Sequence, residues 1–567
     1  MSLPPSPFLS KLRTDFFASP AEEVEIHHLI STRRDRLQAI EDEIARLRAE
    51  QLELQTFVDE HLSLISPIRK VPIDVLREIF LQSMPENGFP ACRALEAPLV
   101  FTGVCRLWRE GAISIPMLWN RIHIHLPAPT PDGQPITEKF LTFLHLWREG
   151  VMTWLGRSGT VPLVVSLRGG LDWCSAQERV IEFHADVVLQ LLECTSRWRS
   201  LSLNVSVETW RIVAMSKAEL PLLETLAAPF PTTGLVTEEE HENLLKAVVK
   251  RAPSLRKLYL GPLPDNLPIR WDRLTEVSLQ PSGWPRELRM SQAIQVLYFS
   301  CTSLRHFTAN IQIETSGQPA FSPITLPSLQ TLNIGVMHVR YHHPIDDPEP
   351  VFRRFLDCIE APNLVSFSLN CTKFHRRISS LTSLVGFLKR SGCALRSLVL
   401  SVPVPSTEMN DLLVSMPSLV QLKLTPVLEP TPWLAGSNSD WHLPGMLIDL
   451  LTPSQSNIDC NVLCPNLEFL VVRGCPALYA LPIIALAEAR CAEQSSTQKL
   501  KRLQVQFRYS IEDTEVPLRV EALRRRGMLV KVDSAENPNA NLVTTRPKPD
   551  FCDYVHSGQL WWPIDDV

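Results

Sequence analysis

The chain has 567 residues, a formal charge of −5, and 45% hydrophobic against 21% charged residues; that length exceeds what one core serves and points to roughly three or four domains or one elongated array. The charge balance gives no electrostatic ground for nucleic-acid binding, and 47 prolines against 21 glycines indicate stiff connections rather than glycine-rich phosphate loops. Thirteen cysteines without a Cys-x-x-Cys pair argue for reduced thiols, not a secreted disulfide framework.

Residues 1–21 begin MSLPPSPFLS, which has no basic flank leading into an apolar core and is expected to be disordered. No stretch reaches the ~18 apolar residues that span a bilayer, so the expected setting is cytoplasmic or nuclear, with no membrane partner. From Glu22 to His61 there is neither proline nor glycine. Ile26, Ile30, Leu37, Ile40, Ile44, Leu47, Leu54 and Val58 recur there at heptad spacing, interrupted by Arg33, Gln51 and His61. This predicts a coiled-coil helix over 22–63. It either pairs with a second copy as a homodimer or folds back on the body as a single helix.

Ser66 and Pro67 end that helix, and Pro72 presets φ for the first turn of the next. Leu76, Ile79, Phe80 and Ser83 share one face, with Val75 beside it, until Pro85 and Gly88 stop the helix. APLVFTGVCRLWREGAISIP starts another short helix, with Val100, Val104, Leu107 and Trp108 at helical spacing, and MLWNRIHIHL ends in the strand-like alternation of Ile122, Ile124 and Leu126. The whole unit, residues 66–122, has too little apolar area to stand alone and needs a neighbour.

The run Pro72, Val75, Leu76, Ile79, Phe80, then Val104, Cys105, Arg106, Trp108, Arg109, then Pro116, Leu118, Trp119 resembles the F-box. Through that module, substrate receptors dock onto the small adaptor subunit of cullin-RING ubiquitin ligases. With the preceding helix and the phrase WLGRSGTVPLVVSL from Trp154, the resemblance is to a large fungal F-box-like family and extends to about Arg199. The family more often has Glu where Asp74 stands, and the linker Pro85–Pro98 is longer than usual. The resemblance implies an adaptor and a cullin scaffold as partners. It also implies Pro72, Leu76, Ile79, Phe80, Val104, Cys105, Trp108, Leu118 and Trp119 as the residues of module structure and docking.

Residues 123–190 read as a connecting region. Beyond them one phrase returns: apolar, two others, apolar, one other, apolar. It appears as RWRSLSL, LPLLETL, APSLRKLYL, WDRLTEVSL, CTSLRHFTA, LPSLQTLNI, APNLVSFSL, CALRSLVL, MPSLVQLKL, CPNLEFLVV and LKRLQVQF. Its last two apolar residues stand on one side of a strand, and the leucine three earlier turns in from the bend. One such unit cannot cover its apolar face, so neighbours must stack. The phrase is similar to the strand signature of leucine-rich repeats. Key leucines lie 19 (Leu255 to Leu274) to 48 (Leu419 to Leu467) residues apart, so the array over 191–532 is degenerate, with insertions. The alternative is a generic α/β core whose strands happen to follow prolines. Helical stretches such as TEEEHENLLKAVVKRAP, where Thr237 and Glu240 read as a capping box, supply an outer layer. Residues 533–567 form a polar tail, in which Trp561 and Trp562 either cap the last repeat or form a short peptide motif.

The overall fold class expected is α/β: a coiled-coil helix, a small all-α F-box module, and an irregular leucine-rich-repeat-like solenoid with a parallel sheet. No Ser-, phosphate- or dinucleotide-binding signature occurs. His338, His342, His343, Asp346 and Asp347 are close in sequence but sit beside Pro344 and lack helical ligand spacing, and Cys460, Cys464 and Cys475 read mainly as small buried residues. The expectation is a non-catalytic adaptor with no cofactor and no metal, binding an unknown protein substrate through outward strand positions such as Lys257, Tyr259, Thr331, Asn333, Gln421 and Lys423. The competing reading is a non-ligase scaffold in which the F-box-like helices cap the open end of the repeats and the coiled coil dimerises the chain.

Overall fold

A computed structural model describes residues 6–534 apart from 86–88, 91–94, 127–136, 170–177, 229–236, 262, 280–287, 313–322, 338–348, 371–379, 402–405, 426–447, 450, 454–461, 476, 493–496, 508–510 and 512. The chain divides into two compact units, Met1–Ile79 and Phe80–Val567.

In the first unit, the segment expected to be disordered is described from residue 6 onward. The Leu12 N–H donates to Phe8 O at 3.2 Å, Phe8 is buried, and Lys11 pairs with Glu22 at 2.8 Å. The Ser19 N–H and hydroxyl also donate to Glu22, at 2.9 and 2.7 Å. Lys11 first, then Ser19, hold that carboxyl down at about 2, which suits an anion at a helix N-terminus. Helix α1 then runs Pro20–Ile65, 46 residues. Arg46 bridges Glu43 at 2.7 Å and Glu50 at 3.7 Å on its surface. Helix α2, Ile73–Gln82, crosses the division between the units.

The second unit begins with α3 (Leu99–Val104) and α4 (Arg106–Ile113), split by the extended backbone of Cys105, and a 3-10 turn at Pro116–Leu118. Strand β1 (Arg121–His125) follows at once. Next come α5 (Glu138–Arg157), β2 (Leu163–Gly169), α6 (Glu178–Leu192), β3 (Trp198–Val205), α7 (Val207–Met215), β4 (Thr225–Ala228) and α8 (Glu238–Lys250). Then β5 (Lys257–Leu260), β6 (Glu276–Leu279), β7 (Leu288–Arg289), α9 (Met290–Phe299), β8 (His306–Gln312), β9 (Ile324–Thr325) and β10 (Thr331–Met337). These lead into α10 (Glu349–Asp357), β11 (Ile359–Glu360), β12 (Ser366–Asn370), α11 (Thr382–Ser391), β13 (Ser397–Ser401), α12 (Ser406–Val414) and β14 (Gln421–Leu424). The last elements are β15 (Phe469–Cys475), α13 (Ala480–Cys491), β16 (Arg502–Phe507), α14 (Glu515–Arg525) and β17 (Leu529–Ser534).

Among the described residues, fifteen strands form one parallel sheet in the order β1-β2-β3-β4-β5-β6-β8-β10-β12-β13-β14-β15-β16-β17, with β7 beside β8; β9 and β11 pair separately. Successive strands are therefore spatial neighbours, and most of the long crossovers that parallel pairing requires carry a helix, β5 to β6 having only the 3-10 turn Trp271–Arg273 among the described residues. The register explains the recurring phrase. Val165, Leu201, Leu226, Leu258, Val277 and Phe307 line up across adjacent strands, and the row continues through Leu332, Phe367, Leu398, Leu422, Leu470 and Leu503. All of them are buried, as are the bend leucines Leu255, Leu274, Leu329, Leu364 and Leu419 three positions earlier.

Residues 123–190 are not a mere connection. They supply β2 and most of β1, in register with each other and with β3. The first phrase begins with a tryptophan at the bend: Trp119 stands three residues before Ile122 as Trp198 stands before Leu201, and all four are buried.

Two side-chain devices tie many turns of the chain to the one before. The residue preceding the bend leucine donates to a backbone carbonyl of the previous turn: Ser254 to Pro221 (2.6 Å), Ser303 to Leu274 (2.7 Å), Ser328 to Thr302 (2.8 Å), Asn363 to Pro327 (2.8 Å), Ser418 to Leu395 (2.9 Å) and Asn466 to Pro417 (3.2 Å). Arginines near helix ends do the same on a larger scale. Arg251 donates to the carbonyls of Ser216, Ala218 and Val213 at 2.6 to 2.9 Å, satisfying groups that the end of a helix leaves without intrahelical partners.

The capping box at α8 forms by half. Thr237 Oγ1 accepts from the Glu240 N–H at 3.2 Å, while the Glu240 carboxylate accepts from Arg211 of α7 at 2.7 Å.

Candidate functional site

The short helices before the sheet are held by aromatic packing. The Phe80 ring stacks on Phe101 at 4.4 Å, and Trp108 meets Phe80 edge-on at 5.0 Å. Arg109 Nε donates to Thr102 O at 2.8 Å and ties α4 to α3. Trp119 Nε1 donates to Ala112 O at 2.9 Å. The Trp119 ring also meets Trp154 of α5 edge-on at 4.9 Å, under the Arg157 guanidinium at 4.5 Å.

This packing divides the residues implied by the F-box resemblance. Leu76, Phe80, Leu118 and Trp119 are fully buried and offer no surface to a partner. Cys105 and Trp108 are half-buried, and Pro72 is exposed. Ile79 is 40% exposed and Val104 51% exposed. Leu107, which the helical spacing noted without assigning it to docking, is 45% exposed. It follows Val104 across the break at Cys105, and its exposure depends on where that break turns the chain.

The coiled-coil residues Ile30, Leu37, Ile40, Ile44, Leu47 and Leu54 all lie exposed along α1.

The positions named for a substrate surface fall on two neighbouring rows of the sheet. Lys257, Thr331 and Gln421 share one row, and Tyr259, Asn333 and Lys423 share the next. Thr331 and Gln421 stand three strands apart, about 14 Å at the usual spacing. Tyr259 is a correction: it lies on the outward row but is buried, as are His123, Ser166, Ser202 and Ser278 of the same row. Alternation along one strand gives the side a residue faces, not whether that side is covered. Tyr259 and Lys257 donate to Glu276; burial would raise that carboxyl, and these bonds hold it below its ordinary value instead. The Lys257 ammonium is 3.0 Å from Glu276.

His123 Nδ1 lies 3.0 Å from Ser166 Oγ. Burial, with His125 and Arg168 nearby, pushes the His123 imidazole down to about 4, so it is neutral at physiological pH. Further along, from β8 to β13, the outward rows carry His306, Thr308, Asn310, Thr331, Asn333, Ser366, Ser368, Asn370, Ser397 and Ser401 without an acidic, lysine or arginine side chain. Thr331, Asn333, Gln421 and Lys423 are half-buried, and Asn333 Nδ2 donates to Thr308 Oγ1 at 3.2 Å.

Among the described residues there is no group of three His, Cys, Asp or Glu side chains placed to hold a metal, and no helix long and apolar enough to cross a membrane. The 338–348 histidine and aspartate cluster, Cys460, Trp561 and Trp562 lie outside the described residues. Cys464 and Cys475 are both buried, and burial raises the Cys464 thiol to about 12, the behaviour of an inert structural cysteine.

No protein-family model matches the chain, and no curated protein matches it.

Proposed function

We propose that the chain is a non-catalytic substrate-recognition subunit of a cullin-RING ubiquitin ligase, docking the ligase adaptor through its F-box-like helices and holding a protein substrate on its leucine-rich-repeat-like sheet. The observation that carries this reading is at α3 and α4. Two very short helices are fixed by the Phe80, Phe101 and Trp108 rings, yet they hold Val104 and Leu107 in solvent. Helices this short do not persist alone, and apolar side chains held out on such a frame mark an interaction surface when they cluster. The uncharged hydroxyl- and amide-bearing rows from β8 to β13 are the candidate substrate face, with Lys423 at one flank and Lys257 at the other.

A pull-down of the full chain with the purified ligase adaptor tests this, comparing wild type with Val104→Asp/Leu107→Asp. Both positions are exposed, so the variant keeps its fold. Adaptor binding by wild type and at least a tenfold loss in the variant is expected. Absence of wild-type binding overturns the receptor reading.

One observation favours a second reading. β1 is the edge strand of the large sheet and follows the 3-10 turn of the short helices with only two residues between. Helices so placed serve as the terminal cap that a stacked array requires, in a scaffold that binds its partner on the sheet and engages no ligase.

A further inference from the structure

From the pattern of α1 we propose that two copies of the chain associate through this helix as an antiparallel pair, with the two-fold axis crossing at residue 42. The helix is 46 residues long, about 69 Å at the helical rise. Ile30, Leu37, Ile40, Ile44, Leu47 and Leu54 are between 41% and 61% exposed along it. The occupant of this seam is written in its interruptions. The seam is two interleaved heptad series, Ile30, Leu37, Ile44, Gln51 and Val58 in one and Ile26, Arg33, Ile40, Leu47, Leu54 and His61 in the other, and in an antiparallel pair each position of one series faces a position of the other. The register that sets Arg33 opposite Gln51 of the second copy is symmetric about residue 42.

That register was chosen for one pair, yet it satisfies the others. Leu37 meets Leu47, Ile40 meets Ile44, and the layers further out are apolar on both sides as far as the ends. There, His61 meets Glu23, an acceptor for its N–H. The axis also falls at the middle of Pro20–Ile65, so the two helices overlap over their whole length. Polar seam residues are matched to polar ones and apolar to apolar, the arrangement by which such residues fix register and orientation.

A parallel in-register pair would stack Arg33 on Arg33 and Glu23 on Glu23 in the seam. Its flanks would gain Arg36 with Glu41 and Glu43 with Arg48, but Glu43 already binds Arg46 of its own helix, and exposed flanking pairs contribute little. The antiparallel pair sets Arg36 opposite Glu50, itself 3.7 Å from Arg46 of its own helix, and brings Arg34 near Arg48, Glu41 near Glu41 and Glu43 near Glu43 of the second copy, so the flanks favour the parallel pair and the seam decides against it. Those are rim charges that can swing into solvent, whereas seam charges cannot.

The test uses the full chain carrying Leu37→Cys or Leu47→Cys, alone and mixed, oxidised in a glutathione buffer, with disulfide-linked α1 peptides identified by mass spectrometry. α1 has no native cysteine. The expected result is a 37–47 link that appears only in the mixture. Links of 37 to 37 and 47 to 47 would mean a parallel pair and overturn the proposal, as would absence of any α1 link. Independently, light scattering of the wild-type chain should give twice the mass of the Ile40→Asp/Ile44→Asp variant, with the same thermal transition for the sheet; equal masses overturn it.

Discussion

Arg490 of α13 is fully buried, and its guanidinium reaches three backbone carbonyls: Nε donates to Leu451 at 2.8 Å, Nη1 to Cys464 at 3.0 Å and Nη2 to Leu463 at 2.8 Å. Burial lowers its pKa to about 10, which leaves it charged at neutral pH. Arg490→Met keeps most of the volume and strands all three carbonyls. At ~1 kcal/mol each, the low end for an unsatisfied buried acceptor, the loss is about 3 kcal/mol. Relief of the guanidinium's own desolvation offsets part of it, and the charge on the lost donors works the other way. Arg490→Lys keeps the charge but not the planar fork that spans three acceptors, and falls between the two. A chain of two units does not unfold in one step, so the readout is amide hydrogen exchange in β15 and α13, which reports local opening free energy. A loss under about 0.5 kcal/mol in the methionine variant, the range of ordinary surface substitutions, would refute the view that Arg490 clamps the turn before β15.

Three further outcomes follow from the same geometry. His123 and His241 are buried and held down to about 4 from 6.5, by burial first in both cases. The unfolded chain therefore takes up protons that the folded chain refuses, so stability present above pH 6.5 is lost as pH falls toward 4, by about 3 kcal/mol per histidine. Urea midpoints should drop across that window and flatten in His123→Gln and His241→Gln; a midpoint constant from pH 7 to 4.5 contradicts the burial argument. Asn466→Ala and Ser328→Ala each remove one tie to the preceding turn and should cost ~1 kcal/mol, measured by exchange in the following strand. Gly335→Ala would set a Cβ against the Asn310 side-chain oxygen, the far end of a side chain that can turn aside, so it should cost only ~1 kcal/mol; Asn310→Ala in the same chain should restore that loss, and failure to do so would locate the strain elsewhere.

The parallel strands were legible because each phrase fixes three positions at once: Leu329, Leu332 and Ile334, for example, give the bend and both buried rows of β10. The first strands were harder to see. In β1 and β3 the bend position holds Trp119 and Trp198, so a search for leucine passes over the first and leaves β2, whose bend residue is Pro162, without a marker. The ties from Ser254, Asn363 and their counterparts stand in the sequence as a Ser or Asn before six of the bend leucines, but a short polar residue in a turn has many uses, and only the register shows that its partner is the previous turn. Tyr259 departs from its expected exposure for the opposite reason: its side of the strand follows from alternation, while its burial depends on what covers the row from His123 to Ser278. The split of the docking set into buried Phe80 and Trp119 and exposed Val104 likewise needed three-dimensional packing, since all are apolar residues at helical or turn positions.

The position of Trp119 bears on how the two functional readings should be separated. It satisfies the F-box resemblance and is also the bend residue of the sheet's first strand, with its N–H on Ala112 and its ring between Trp154 and Arg157. Trp119→Ala should cost ~3–5 kcal/mol by the cavity it leaves, and would abolish adaptor binding whether the helices dock or merely cap, so it discriminates nothing. Val104 and Leu107 differ: about half of each side chain is exposed, and a charge there is nearly neutral for a cap and ruinous for an apolar docking face. An unchanged melting transition together with lost adaptor binding is the one combination that capping alone does not produce.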